Sequence, residues 1–294
     1  MGDSAPPLSF AGLDLATSGG VRAVLSAFGL RLRPARGQHF LINRRVLQRL
    51  LEAAEVHPAD TILEVGAGIG TLTTALAERG AHVAAVEVDG RFIQVLQAAS
   101  APYPKVQIIH ADAMRLDPGA LPFRPDKVVA NLPYSVASPL LIRLLEMGIG
   151  RRLVVMVQDE VASRIVAAPG SKVYGLLSVI VQAYASPAIV ARVPRSAFLP
   201  APQVRSAILR LDVRESLPLP SHQMPAMMAV ARAAFGQRRK MLRSALRDVS
   251  AAGLTAETVE ALSASAGVDP RRRGEDLTVE EFARLAQVFT GYDG

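Results

Sequence analysis

The most chemically specific run in the sequence is Asn131-Leu132-Pro133-Tyr134. The exocyclic nitrogen of adenine is a poor nucleophile because its lone pair is delocalised into the ring. The Asn131 side-chain oxygen and the Leu132 carbonyl supply two acceptors that hold the hydrogens of such a nitrogen and pyramidalise it. Pro133 keeps that geometry rigid. Tyr134 offers an aromatic face on which a flipped or unpaired base stacks, a contact worth roughly 1–3 kcal/mol. The run therefore points to transfer of a methyl group to an amino nitrogen, against the simpler reading of a proline turn carrying a core tyrosine.

A second constellation precedes it. Glu64-Val65-Gly66-Ala67-Gly68-Ile69-Gly70 sits where a strand turns into a helix, so backbone amides and the helix N-terminus can approach a polar ligand. A dinucleotide fingerprint runs Gly-x-Gly-x-x-Gly, but here the third glycine arrives one residue early and an acid ends the strand, which is the spacing of S-adenosylmethionine enzymes. Glu87 follows Gly66 by 21 residues at the end of the next strand, where a carboxylate accepts from both ribose hydroxyls. Asp112 closes a third strand and is placed to accept from the cofactor's adenine amino group. A lone acid at a strand end is more often a cap; three strand ends in succession favour the cofactor. With an activated methyl, the remaining task is alignment of nitrogen, carbon and sulfur at roughly 3–3.5 Å, and no metal or strong base is needed.

These residues need a scaffold with several strand ends at one edge. Short β-rich runs at Thr61–Val65, His82–Val88, Val106–His110, Lys127–Asn131 and Leu153–Val157 alternate with helical patterns at Thr71–Arg79, Arg91–Ala99 and Pro139–Met147. That alternation predicts an α/β fold: a Rossmann-like, mainly parallel sheet with helices on both faces and ligands at its carboxyl edge. Further helices near 159–168 and 175–185 and strands near 188–193 and 205–213 complete it. Residues 221–290 show helical patterns only, one of them running from about Pro225 to Val249. The expected division is a mobile tail over 1–21, rich in glycine and proline, a methyltransferase domain over 22–215, and a small all-helical C-terminal domain over 216–294.

The 294 residues carry a net charge of +7, unevenly spread. Residues 22–51 hold seven arginines and no acid, residues 60–130 eight acids against six bases, and residues 192–247 eleven bases against two acids. A near-neutral middle framed by basic segments fits a small-molecule domain flanked by surfaces for a polyanion. Within the last segment, Arg232, Arg239, Arg243 and Arg247 are spaced seven, four and four apart, as on one face of a helix, and with Arg238 and Lys240 form the candidate RNA surface. No cysteine is present, which excludes disulfides, thiolate metal sites and a cysteine nucleophile. No signal sequence or membrane span is visible, so a soluble cytoplasmic protein is expected.

From about Arg36 to Gln287 the sequence resembles the ribosomal RNA adenine dimethyltransferase family, in its bacterial small-subunit branch. The resemblance runs through Gly37-Gln38-His39-Phe40-Leu41, the glycine loop, Asn131 to Tyr134, Ser171 to Gly175, Phe198 to Val204, Phe235 to Lys240 and Arg273 to Leu277. It implies S-adenosylmethionine contacts at His39, where relatives often have asparagine, and at Leu41, Gly66, Glu87, Asp112 and Asn131. It places the target adenine between Tyr134 and Phe198. It further implies dimethylation of two adjacent adenosines of 16S ribosomal RNA by a monomer acting on an assembly intermediate of the small subunit. The nearest rival keeps the chemistry and changes the target to 23S ribosomal RNA, conferring antibiotic resistance; Leu132 and the Arg238-Arg239-Lys240 block favour the small subunit. A nicotinamide oxidoreductase is disfavoured by the glycine spacing and the acceptor run. A non-catalytic assembly factor is disfavoured by the intact acceptor run.

Overall fold

The computed structural model describes residues 8–32, 38–237, 239–248 and 254–291. In chain order the elements are α1 (Ser18–Ala27), β1 (Phe40–Leu41), α2 (Arg44–Ala53), β2 (Thr61–Val65), α3 (Thr71–Glu78), β3 (His82–Glu87), α4 (Gly90–Ser100), β4 (Val106–His110), β5 (Lys127–Asn131), α5 (Ala137–Glu146), β6 (Arg152–Gln158), α6 (Asp159–Ile165), α7 (Leu176–Tyr184), β7 (Ala185–Val193), β8 (Phe198–Leu199), β9 (Ser206–Val213), α8 (Met224–Gly236), α9 (Leu242–Ala245), α10 (Ala256–Ser265) and α11 (Val279–Thr290). Among the described residues no helix is long and apolar enough to cross a membrane.

Seven strands form one sheet in the order β4-β3-β2-β5-β6-β9-β7. The run from β4 to β6 is parallel, and β9 is antiparallel to β6. The central strands read as continuous apolar runs because both of their faces are covered: Ile62, Leu63, Val83, Ala84, Val128, Val129, Val154 and Val155 have no exposed surface. Side-chain caps fix the helix starts. Asn43 Oδ1 accepts from the Val46 amide at 3.1 Å and Asp89 Oδ1 from the Arg91 amide at 3.2 Å. At the opposite edge, where β5 begins, Lys127 Nζ donates to Asp60 Oδ2 at 2.6 Å and to the Glu55 carbonyl at 2.5 Å, with both charged side chains buried.

The described residues fall into two compact units, 1–162 with 188–213, and 163–187 with 214–294. The second therefore takes in α7 and the segment before it, which the contiguous division expected from sequence assigns to the first. Its core explains the grouping. Tyr174, buried, donates from its hydroxyl to the Leu277 carbonyl at 2.8 Å and packs edge-on against Phe235, which in turn contacts Phe282.

Two expectations are corrected. The described part of the supposed tail, 8–21, is packed: Thr17 caps α1, Ala16 is buried, and Leu15 and Val21 are buried in a cluster with Ile69, Phe92, Val95 and Ala99. Its apolar residues lie irregularly among glycines and so show no helical period. The long helix from Pro225 to Val249 is broken. Helix α8 stops at Gly236, Gln237 leaves helical backbone at φ −120° and ψ 53°, and Met241 is extended at φ −68° and ψ 156° before α9 starts. Arg232 thus lies on α8, Arg239 and Lys240 in the turn, Arg243 on α9 and Arg247 in the 3-10 turn after it, so the seven-four-four spacing does not make one helical stripe. All five side chains are nonetheless exposed, while Arg238 lies outside the described residues.

Candidate active site

The strand order reverses at β2, whose neighbours are β3 on one side and β5 on the other. At such a switch point the loops leaving adjacent carboxyl ends diverge and open a crevice. The glycine loop leaves β2 there, Glu87 ends β3, and Asn131 ends β5. Gly66 has φ +76°, and its backbone passes so close to β5 that a Cβ would sit 3.7 Å from both the Asn131 carbonyl oxygen and Pro133 Cδ. Gly68 has φ +57°, and a Cβ on it would meet Phe40 Cε1 at 2.8 Å. The covering segment is held by backbone pairing: Phe40 opposes Leu199 and Leu41 opposes Phe198 in a two-stranded ribbon, and the Ile42 amide donates to the Ala197 carbonyl at 2.8 Å.

Of the residues singled out from sequence, His39, Leu41, Glu64, Gly66, Gly68, Glu87, Asn131 and Pro133 line one cavity. Glu87 is anchored at both oxygens: Oε2 accepts from the Gly68 amide at 2.8 Å and Oε1 from the Asp89 amide at 2.8 Å. A carboxylate has further lone pairs beyond these two bonds, so it can still receive hydroxyls. Burial pushes the Glu87 carboxyl up, against the lowering effect of those amides. Glu64 is pushed up to about 8, first by burial and further by the charge of Glu87, although the Thr73 hydroxyl donates to its Oε2 at 2.6 Å. Asp89 is instead held down near 2 by the Arg91 guanidinium. The lining thus carries three carboxyl groups, with Asp89 held ionised and Glu64 favoured in its neutral form, and, among the described residues, no lysine or arginine. Such a cavity suits a ligand bearing positive charge.

On the acceptor side, Asn131 Nδ2 donates to the His39 carbonyl at 3.0 Å. Amide geometry then leaves Oδ1 as the acceptor available to another group. The Tyr134 hydroxyl lies 2.5 Å from Ser206 Oγ, its ring stacks on His39 at 5.4 Å between centroids, and burial raises its phenol. Leu132 is buried, with its amide donating to the Met156 carbonyl at 3.2 Å.

Five of the singled-out cofactor and acceptor residues lie outside the cavity lining: Leu132 and Tyr134, placed above, and Phe198, Gly70 and Asp112. Phe198 is buried in the main core cluster, where its backbone pairs with Leu41. Gly70, at φ +89°, is the N-cap residue of α3 and packs near Leu96 and Ala99. Asp112 is exposed and caps a 3-10 turn, accepting from the Met114 amide at 2.9 Å, although it follows β4, the strand beside Glu87. The lining also takes in Gln38, Phe40, Asp89, Phe92 and Met156, which residue-by-residue reading passed over. A signal existed for Asp89, the acid two residues past Glu87 that caps a helix. None existed for Phe92 or Met156, ordinary apolar positions of a helix and a strand.

The model of the family described as "Ribosomal RNA adenine dimethylase" matches residues 29–290. A ribosomal RNA small subunit methyltransferase A from Shouchella clausii is 42% identical over 283 residues, 94% of this chain and 95% of that protein. Among solved structures, a dimethyladenosine transferase from Plasmodium falciparum superposes with a TM-score of 0.75 at 25% identity, covering 86% of this chain and 98% of that one. The 23S rRNA methyltransferase ErmE follows with a TM-score of 0.65 at 26% identity, covering 85% of this chain and 99% of that one.

Proposed function

The chain belongs to the ribosomal RNA adenine dimethylase family, and from that premise we propose that it dimethylates the exocyclic amino groups of two adjacent adenosines in 16S ribosomal RNA. It is an S-adenosylmethionine-dependent methyltransferase. The observation that carries the reading is the meeting of Gly66 and Gly68 of the glycine loop, Glu87, Asn131 and Pro133 at one crevice beside β2. The acidic lining fits a cofactor whose sulfonium is positively charged, and the absence of a side chain at Gly68 leaves Phe40 room to cover it.

When bound, S-adenosylmethionine supplies a methyl carbon made electrophilic by its sulfonium. The chain's own residues hold and align. Glu87 would accept the ribose hydroxyls on its remaining lone pairs, and Gly66 and Gly68 would admit the ligand to the backbone. Phe40 and Leu41, with the backbone of His39, close over it, and Asp112, next to Glu87 along the carboxyl edge, receives the adenine amino group. Asn131 Oδ1 and the Leu132 carbonyl accept the target amino hydrogens, so the lone pair turns toward the methyl carbon while Pro133 fixes the turn and Tyr134 stacks the base. Each of two rounds would consume one S-adenosylmethionine and release its demethylated thioether, and the proton lost by the nitrogen would pass to solvent.

The helices over 216–294 serve as the RNA-binding domain, with Arg232, Arg239, Lys240, Arg243 and Arg247 contacting phosphates; all five are exposed. We place the protein in the cytoplasm as a monomer that engages an assembly intermediate of the small subunit. The 42% identity to a small-subunit enzyme against 26% to the 23S enzyme supports the 16S target over its rival. Mass spectrometry of ribosomal RNA from cells with and without the protein tests this. Dimethyladenosine should vanish from 16S RNA when the protein is absent; its persistence there, or its loss from 23S RNA instead, overturns the assignment.

A further inference from the structure

The side chain of His39 does something that its place over the cofactor cavity does not require. Its Nδ1 lies 2.8 Å from the Pro200 carbonyl oxygen. A carbonyl only accepts, so Nδ1 carries the hydrogen and donates it. With that bond the ring is held nearly parallel to Tyr134, at an interplanar angle of 25°. The same residue's carbonyl takes the Asn131 amide hydrogen at 3.0 Å. One residue therefore touches both members of the acceptor pair, from a segment that also lines the cofactor cavity.

We propose that His39 is a positioning residue for the methyl acceptor: its ring braces Tyr134 and its carbonyl sets the orientation of the Asn131 amide, so that the segment covering the cofactor also shapes the platform for the target base. The proposal rests on the reading of Asn131 and Tyr134 as that platform. An asparagine amide has two orientations, and only the one that spends Nδ2 on His39 turns Oδ1 to an amino hydrogen. Tyr134 is tied at its tip to Ser206 by a single 2.5 Å hydrogen bond, about which the ring can swing unless a face is supported. The support comes from His39, which Pro200 in turn holds. Because Phe40 and Leu41 keep their backbone pairing with β8 whatever side chain stands at 39, the covering segment stays in place when the ring is removed.

Three variants separate the parts. His39→Asn keeps an amide donor for Pro200 without a ring, His39→Phe keeps a ring for Tyr134 without a donor, and His39→Ala keeps neither. Cofactor affinity is measured by calorimetry, and kcat and KM on small-subunit particles. His39→Ala should lower kcat by about 10- to 100-fold, the scale of a small misalignment of reacting groups, while cofactor Kd stays within about threefold. The Asn and Phe variants should each recover at least about threefold of that kcat. Parental kcat in His39→Ala, a loss of cofactor affinity matching the loss of kcat, or Asn and Phe variants no better than Ala would each overturn the proposal. Should His39→Ala fail to fold, Asn and Phe variants with kcat equal to the parent's would overturn it equally. A parent that methylates no particle would sink the function itself, a result distinct from an active parent with indifferent variants.

Discussion

Asn131 and Glu87 stand at the ends of the two strands that flank β2 yet face different partners, so their removal should separate binding from chemistry. Glu87 holds the glycine loop by its Gly68 bond and offers its spare lone pairs to the cofactor. Glu87→Ala should weaken S-adenosylmethionine binding by about 10- to 100-fold, the worth of hydrogen bonds to a charged group, as calorimetry would register. Asn131→Ala should leave that affinity nearly intact and lower kcat by about 10²–10³-fold, the cost of removing one preorganised polar group at the reacting atoms. Equal losses in both quantities for both variants would mean that the two residues serve one site. Glu64 gives a prediction in pH. Its carboxyl titrates near 8 in the folded chain against 4.5 for an ordinary glutamate. The unfolded chain therefore ionises first as pH rises, and the native state loses stability between these two values, with the full stability present below 4.5. Glu64→Gln should remove that slope. Its unfolding free energy should exceed the parent's by an amount that grows toward pH 8, at up to about 1.4 kcal/mol per pH unit; parallel stability curves would show Glu64 ionised throughout.

At the scale of elements, the broken helix changes how the basic surface is to be tested. Arg239 stands in the turn after α8 and Arg243 on α9, where it pairs with Glu260 at 3.4 Å, both side chains being about half exposed. Such an exposed pair is worth little and yields readily to a phosphate. Changing both arginines to alanine should weaken binding to small-subunit particles and flatten the plot of log affinity against log salt by roughly 0.7–0.9 for each phosphate no longer neutralised. Cofactor affinity should be unmoved. A double variant with the parent's salt slope would return these arginines to ordinary solvated surface and shift attention to Arg22, Arg31, Arg44, Arg45 and Arg49.

For the whole molecule, the two edges of the sheet do different work. The carboxyl edge is given to the site, with three carboxyl groups in its lining. The amino edge is tied by charge: Lys127 to Asp60, and Arg152 to both Glu55 at 2.7 Å and Asp212 at 2.6 Å. Lys127 and Asp60 are buried, so Lys127→Met leaves the Asp60 carboxylate with only the exposed Arg151 guanidinium at 4.0 Å and the His57 amide, and should cost about 3–5 kcal/mol in denaturant unfolding. Methyl transfer by the folded fraction should be retained. A loss below about 1 kcal/mol would show that water reaches Asp60 or that it takes up a proton.

The sequence by itself determined the sheet and most of the crevice. Central strands buried on both faces must be unbroken apolar runs, and a chain alternating them with helices brings its strand ends to one edge; Glu64, Gly66, Gly68, Glu87 and Asn131 follow from that local logic. Tertiary structure alone decided what depends on partners distant in the chain. The packing of residues 8–21 comes from apolar side chains without a period that find Phe92 and Val95 some seventy residues later. The ending of α8 comes at Gly236, inside a pattern whose apolar residues continue at helical spacing on the far side of the turn. The grouping of 163–187 with the C-terminal helices comes from a tyrosine bonded 103 residues downstream. His39 belongs with these, because its contacts with Asn131, Tyr134 and Pro200 span 92 residues and more, and no spacing within a single segment carries that information.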